Sequence, residues 1–400
     1  MNILFALAIA MAVGMAMTRL IKLIYLPNVT AYLIAGLLVG PYVLKVLTPE
    51  MNSELSIISD VALGFIAYSI GSEFKLSYIK EIGAKPMVIT AFEGCVASLL
   101  VFLTLLALGQ PLPMCLALGA IAAATAPAAT LMVVRQYKAN GPVTRMLLPV
   151  VAMDDALGLM LYAIMMAIAR TLDSGAALSV MTLLVKPLIE IVGSLAMGVV
   201  IGTVMVFCLR FFHSRGNKLT MTILIVFLAV GVSTMLDLSS LLVCMMVGAT
   251  MINVSNDSPA LLEQCDRFTP PLFLLFFVLS GASLDLSVLP TVGVVGIAYV
   301  LSRAIGKSLG ATIGAAIEKC DKNIIRYLGM TLIPQAGVAI GMARMCLTDL
   351  PAYGSTINAV VLAGTLIYEL TGPVITKIAL TKAGEIKEGG AKPAAATAAK

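Results

Sequence analysis

Runs of about twenty apolar residues recur from one end of this chain to the other, and no other feature limits its fold as strongly. A run of that length crosses the ~30 Å hydrocarbon core of a bilayer as an α-helix rising ~1.5 Å per residue. In lipid, only helices and closed barrels satisfy their own backbone. With no Trp and 6% aromatic residues, the chain lacks the aromatic girdles of a transmembrane β-barrel. It is 60% hydrophobic and only 12% charged, about half the charge of a soluble domain. The fold class expected is an all-α polytopic membrane protein. The runs predict about thirteen transmembrane helices, near 2–24, 28–46, 54–71, 86–108, 112–135, 143–169, 181–210, 219–237, 239–254, 268–284, 289–316, 324–347 and 354–381.

Lys and Arg concentrate in alternate loops, among them Arg19, Lys75, Lys80, Arg145, Arg215, Arg267 and Lys322; the other loops hold little beyond Lys45, Arg170, Lys186 and Arg344. By the positive-inside rule the basic loops are cytoplasmic, so the N-terminus is outside and the C-terminus inside. These loops account for the net charge of +5 and point away from nucleic acid. The basic-loop pattern, without large soluble domains, favours a prokaryotic inner membrane. Met1 to Met17 lacks a positive leading region and reads as a retained first helix. The Ala/Lys/Gly-rich stretch 383–400 reads as a disordered cytoplasmic tail. Seven cysteines are scattered singly without metal-ligand spacing and read as packing residues; His213 reads as solvated. No cofactor and no enzymatic activity is expected.

An odd helix count suggests two six-helix units joined by a linker, which places the units in opposite orientations, the inverted-repeat plan of many transporters. Breakers fall in corresponding helices: Ala124-Thr125-Ala126-Pro127 in the fifth, and Ile333-Pro334-Gln335-Ala336-Gly337 in the twelfth. Proline removes a helix hydrogen bond and frees backbone groups, which survive at mid-membrane only beside protein or a water-filled cavity. Level with both breaks lies Met153-Asp154-Asp155-Ala156, about half-way through its apolar run and ~16 Å deep. Charges at that depth are costly and are expected only where they face a cavity or a partner. Neighbouring helix residues point ~100° apart, so one carboxylate can look into water while the other looks into protein.

The eleventh helix carries Ser302-Arg303-Ala304-Ile305-Gly306-Lys307. Lys307 is also near mid-membrane and needs a carboxylate partner or must give up its proton. Asp154 and Asp155 are the obvious acids at that level; Arg303, one turn away, is a second partner or reaches the interface. Glu93, Glu190, Asp237 and Glu369 read as lying nearer helix ends, where structural pairing or exposure is the default. Of these only Glu369, in Tyr368-Glu369-Leu370-Thr371-Gly372-Pro373, is kept as a secondary candidate beside Arg303.

The central Asp-Asp pair, the Thr-x-Pro break before it, the Arg-x-x-x-Lys helix and the Pro-Gln-x-Gly break together resemble the monovalent cation/proton antiporter superfamily. The closest likeness is to its electrogenic bacterial sodium/proton antiporters with thirteen helices. The resemblance covers roughly residues 1–382. It implies scaffold and dimerisation helices at 1–85 and 218–288, a linker helix at 171–217, and a mobile core at 86–170 and 289–382 with two broken, crossing helices. The core would slide against the scaffold of a homodimer, exposing one site to either side in turn. It further implies that Asp155 is the main Na⁺ and H⁺ ligand, that Asp154 pairs with Lys307 and also meets Na⁺, and that Thr125 and the carbonyls freed in the first break add oxygens. Pro127, Pro334, Gln335 and Gly337 would shape the breaks.

Carboxylates, hydroxyls and carbonyls are the hard ligands that suit Na⁺ or Li⁺. Competition between H⁺ and Na⁺ for one carboxylate couples the two fluxes. If Na⁺ binds both aspartates and displaces the proton of Lys307, two protons leave per cation and exchange is electrogenic; if Lys307 stays charged, exchange is one for one. A potassium/proton antiporter of the same superfamily is the nearest alternative, and Asp154 argues against it. A sodium-coupled organic-anion symporter would need an acid-poor, wider site. An intramembrane aspartyl protease needs its two acids on separate helices sharing one water, and a channel has no need of a buried lysine and two matched breaks.

Overall fold

The computed structural model describes residues 2–23, 26–72, 74–77, 83–174, 185–212, 214–255, 258–284 and 292–386, and among them every regular element is an α-helix. In order these are α1 (Ile3–Lys22), α2 (Asn28–Val39), α3 (Pro49–Glu54), α4 (Ser56–Gly71), α5 (Lys85–Ala107), α6 (Leu112–Ala122), α7 (Pro127–Tyr137), α8 (Pro142–Ser174) and α9 (Lys186–Leu209). There follow α10 (Arg215–Met235), α11 (Ser240–Val254), α12 (Ser258–Phe268), α13 (Pro270–Ala282), α14 (Gly293–Ile317), α15 (Lys322–Thr331), α16 (Gly337–Asp349) and α17 (Gly354–Lys382). Among the described residues nine spans are long and apolar enough to cross a membrane, two of them made by α3 with α4 and by α6 with α7, or ten if α12 and α13, bent by 47°, form one span. α2, α11 and α16 are apolar but shorter, so the protein is a polytopic helical membrane protein whose described helices do not all reach crossing length.

Helix starts follow local chemistry. Asn2, Thr48, Ser214, Ser239 and Asp321 each accept a backbone N–H at the first turn of α1, α3, α10, α11 and α15, which satisfies donors that a helix start leaves free. Pro127 lies at a break, as the sequence suggested, and not at a kink in a continuous helix. It opens α7, where a proline's missing N–H costs nothing. Prolines 149 and 373 instead lie inside α8 and α17, which run on through them.

One set of helices packs among α5, α6, α7, α8 and α14 to α17, and another among α1, α2, α4 and α9 to α13. In the first set, α5 lies along α14 at the closest approach backbones allow. A methyl added to Gly306, Gly310 or Gly314 would stand 2.7, 2.5 and 2.8 Å from Ala97 Cα, Phe92 O and Ile89 Cα, the small-residue contact that membrane helices use in place of a hydrophobic drive. Two apolar clusters fill this set. One gathers Val101, Leu118, Tyr162, Tyr299 and Val360; the other gathers Ile89, Val150, Ala311, Leu328 and Leu380. Along α5, α8 and α14, the stretches between the two clusters carry Glu93, Asp154 and Lys307.

The chain stays packed past the end of α17. Ala383 to Ile386, expected in a disordered tail, are described, and Glu385 is 6% exposed. Its carboxylate accepts from Val143 N at 2.6 Å, Thr144 N at 2.8 Å and Thr144 Oγ1 at 2.6 Å, capping α8 with an anion at the positive end of its dipole. Residues 387–400, Lys80 and His213 lie outside the described residues. All seven cysteines are free; Cys115, Cys244, Cys265 and Cys346 are buried, while Cys95 is exposed.

Candidate functional site

Both interruptions occur where the sequence placed them, at 123–126 between α6 and α7 and at 332–336 between α15 and α16. They meet one another: Ala126 N donates to Pro334 O at 2.9 Å, and Thr130 Oγ1 donates to Thr331 O at 3.2 Å. Interrupting α6 strands its last carbonyls, and unpaired buried carbonyls are costly. Ile121 O accepts from Gln335 Nε2 at 3.0 Å, Ala122 O from Arg303 Nε at 3.0 Å, and Ala124 O from Arg303 Nη2 at 2.6 Å. Ala123 O accepts from Lys307 Nζ. The carbonyls expected to add oxygens to a cation site are therefore engaged by the protein's own donors.

Arg303 does not reach the interface. It is fully buried, its third hydrogen bond goes to Ile333 O in the other break at 2.7 Å, and its guanidinium lies 4.6 Å from the ring centre of Tyr368, a cation–π contact. Only a planar, multi-donor fork can serve two separate breaks at once. Gln335 is also fully buried and exchanges hydrogen bonds with Tyr299 Oη, 2.9 Å from Nε2 and 3.1 Å from Oε1. Pro334 sits within the second break and Gly337 opens α16.

Lys307, one turn beyond Arg303, is fully buried. Besides Ala123 O, its ammonium reaches Thr125 Oγ1 at 2.8 Å and Asp154 Oδ2 at 3.0 Å. A third carboxylate is there as well: Glu93 Oε2 lies 2.7 Å from the same nitrogen. Glu93 is fully buried on α5, not near a helix end as the sequence reading had it. Ala97 backs onto Gly306 and the Cα of Glu93 onto Gly310 of α14; that glycine stripe, which draws α5 against α14, was the available signal.

The paired aspartates differ in surroundings. Asp154 is fully buried in the ion pair, whereas Asp155 retains 7% exposure; the Oδ1 of each has no hydrogen-bond partner among the described residues. A cavity of about 570 Å³ lined by Ser72, Lys75, Asn140, Thr144, Arg145 and Pro149 reaches α8 six residues before Asp155, roughly 9 Å along the helix. Glu369 stands apart from this cluster. It is 3% exposed on α17 and accepts from Ser280 Oγ of α13 at 3.1 and 3.3 Å.

The transmembrane sodium/hydrogen exchanger model matches residues 7–382, which spans both breaks and every charged residue of the site. The chain belongs to the sodium/hydrogen exchanger family. It is thus a cation/proton antiporter of the monovalent cation/proton antiporter superfamily, integral to the membrane. Two solved structures share its fold. Both are of the sodium proton antiporter MjNhaP1 from Methanocaldococcus jannaschii: one determined at pH 8, with TM-score 0.69 and 19% identity, the other from an electron-microscopy map, with TM-score 0.74 and 17% identity. Each match covers 96% of both chains. No curated protein sequence matches the chain.

Proposed function

We propose that this exchanger family member carries Na⁺ or Li⁺ against H⁺ by competition at Asp155. One observation carries the reading. Asp155 is the carboxylate of the pair that keeps some exposure and is not engaged by Lys307, while its neighbour Asp154 is fully buried and held by it; the Oδ1 of each has no hydrogen-bond partner among the described residues. A carboxylate not committed to an ion pair can take a proton or a cation, and not both. Asp154 becomes the second Na⁺ ligand once it leaves Lys307, and Thr125 keeps the lysine oriented in the meantime. With Asp155 protonated and Asp154⁻ paired to Lys307⁺ the pair's charges cancel. With Na⁺ on both aspartates and the proton of Lys307 released, two protons have left for one cation, and exchange is electrogenic.

Alternate exposure follows an elevator-type movement of residues 86–170 and 289–382 against a scaffold of 1–85 and 218–288, with 171–217 as linker, in a homodimer in a prokaryotic inner membrane. The distribution of helix contacts supports this, because the tight α5/α14 pairing lies within one set and Ser280–Glu369 is one of few polar links between sets. The cavity lined by Lys75 and Arg145 is then the cytoplasmic approach, and Pro127, Pro334, Gln335 and Gly337 hold the breaks at the centre of the moving part.

The test is proton flux in proteoliposomes with an internal pH dye, an outward proton gradient, and Na⁺, Li⁺ or K⁺ added with the potential free or clamped. Na⁺ and Li⁺ drive proton flux in the wild type, the rate responds to voltage, and Asp155→Asn loses it. Flux driven by K⁺ alone moves the protein to potassium/proton exchange. No cation-driven flux from folded protein overturns the reading and leaves an organic-anion symporter as the next substrate class to assay.

A further inference from the structure

Lys307 has more acceptors than it can use. An ammonium carries three N–H donors, yet four oxygens surround this nitrogen: Ala123 O, Thr125 Oγ1, Asp154 Oδ2 and Glu93 Oε2. Nor can the cage relax around a departing group. Glu93 Cα lies 2.6 Å from where a methyl on Gly310 would stand, so α5 and α14 are locked together at the level of the ion pair. If Asp154 turns toward a cation, Lys307 still finds three oxygens, and one of them is a carboxylate. We propose that Glu93 is the positioning residue that receives Lys307 when Asp154 leaves it, so that Asp154 can join Asp155 on the cation. This rests on the exchange reading above.

The energetics decide why such a residue is needed. Removing one partner of a buried ion pair is strongly destabilising because the other charge is left uncompensated. Without Glu93, every cation that recruits Asp154 would strand a fully buried ammonium until the proton of Lys307 leaves. With Glu93, Lys307 exchanges one carboxylate for another 2.7 Å away, and the cation binds against a much smaller opposing term. The hand-over fixes where Lys307 sits. Whether the lysine then yields its proton is a separate step, read by voltage dependence.

The experiment measures Na⁺-driven proton flux against Na⁺ concentration in proteoliposomes for wild type, Glu93→Gln and Glu93→Asp, with thermal unfolding in detergent alongside. Gln keeps an acceptor oxygen and the volume but removes the charge. Its KM for Na⁺ is expected to rise about tenfold or more, with maximal rate within about threefold and little change in unfolding temperature. Glu93→Asp keeps the charge at shorter reach and is expected to recover most of the affinity; it also serves if the Gln variant does not fold. A KM within about twofold of wild type in folded Glu93→Gln, or a loss confined to maximal rate, overturns the proposal. So does Glu93→Asp raising KM as much as Gln does. Absence of Na⁺-driven flux in the wild type itself is the failure of the exchange reading, and the two are told apart by that control.

Discussion

Between α6 and α7 four consecutive carbonyls, Ile121 to Ala124, lose their helical donors, and three of the four are met by a cationic side chain. Between α15 and α16 the donors are mostly neutral: the Ala126 N–H on Pro334 O, the Thr125 hydroxyl 3.5 Å from Leu332 O, and one guanidinium N–H on Ile333 O. Both breaks end one half-helix and begin another, so both offer a negative half-dipole where carbonyls end. The chain places Arg303 and Lys307 against the first of these and sends a neutral Gln335 across from the second. Two interruptions that look alike in sequence thus differ in electrostatics. The first is already compensated by fixed charge, so in the exchange proposed above the aspartates of α8, and not the freed backbone, meet the cation.

Arg303 is where that asymmetry is easiest to break. It makes the only guanidinium contacts to both breaks among the described residues. Arg303→Ala is expected to have the largest effect on stability, about 3–5 kcal/mol, because three buried carbonyls lose charged donors and a large cavity opens. The measurement is thermal unfolding in detergent, where the midpoint should fall sharply. Arg303→Lys should recover only part of it, since an ammonium cannot span Ala122, Ala124 and Ile333 together. If the Ala variant unfolds like wild type, the two breaks hold each other without a shared cation.

Gln335 tests the neutral side of the comparison. Gln335→Leu keeps most of the volume and removes the donor to Ile121 O and the contact with Tyr299 Oη. Ile121 O keeps the Ala124 N–H at 3.2 Å, so a loss of about 1–3 kcal/mol is expected mainly from the orphaned Tyr299 hydroxyl, smaller than for Arg303, with cation affinity unchanged because no ligand has moved. A shift in Na⁺ affinity at constant stability would mean that Gln335 acts on the site itself and not only on the break.

Much of this architecture is legible in the sequence for one physical reason: lipid tolerates few polar residues. Asp154, Asp155 and Lys307 stand out against apolar runs, and prolines 127 and 334 stand out against helical ones, so depth along the chain was enough to bring them together. Glu93 stands out equally, but its significance depends on a partner more than two hundred positions away on α14, and its place along α5 suggested an interfacial residue. Only the glycine stripe of α14, read as a surface that draws another backbone within contact, connects the two. Arg303 was visible as a buried charge, yet its three acceptors are main-chain carbonyls whose availability depends on where the helices stop. The cap by Glu385 was hidden for a similar reason, since a carboxylate in an Ala/Lys-rich ending carries no local sign of the helix start it meets.

The smallest expected effect falls at Gly337, and it sharpens the contrast between the breaks most directly. Gly337 opens α16 with ordinary helical geometry rather than a left-handed backbone, and a methyl built on it meets no atom within 4 Å. Gly310, also in the first set of helices, would drive the same methyl to 2.5 Å from Phe92 O. In this conformation, then, glycine at 337 is required neither by torsion nor by space. Gly337→Ala should change stability by no more than about 0.5 kcal/mol, toward stabilisation, because alanine loses less backbone entropy in a helix. Transport should persist if the second break keeps its shape throughout the cycle. A variant as stable as wild type that no longer exchanges Na⁺ for H⁺ would show that another conformation brings a neighbour against Gly337, and would make the second break, not the first, the one that changes shape.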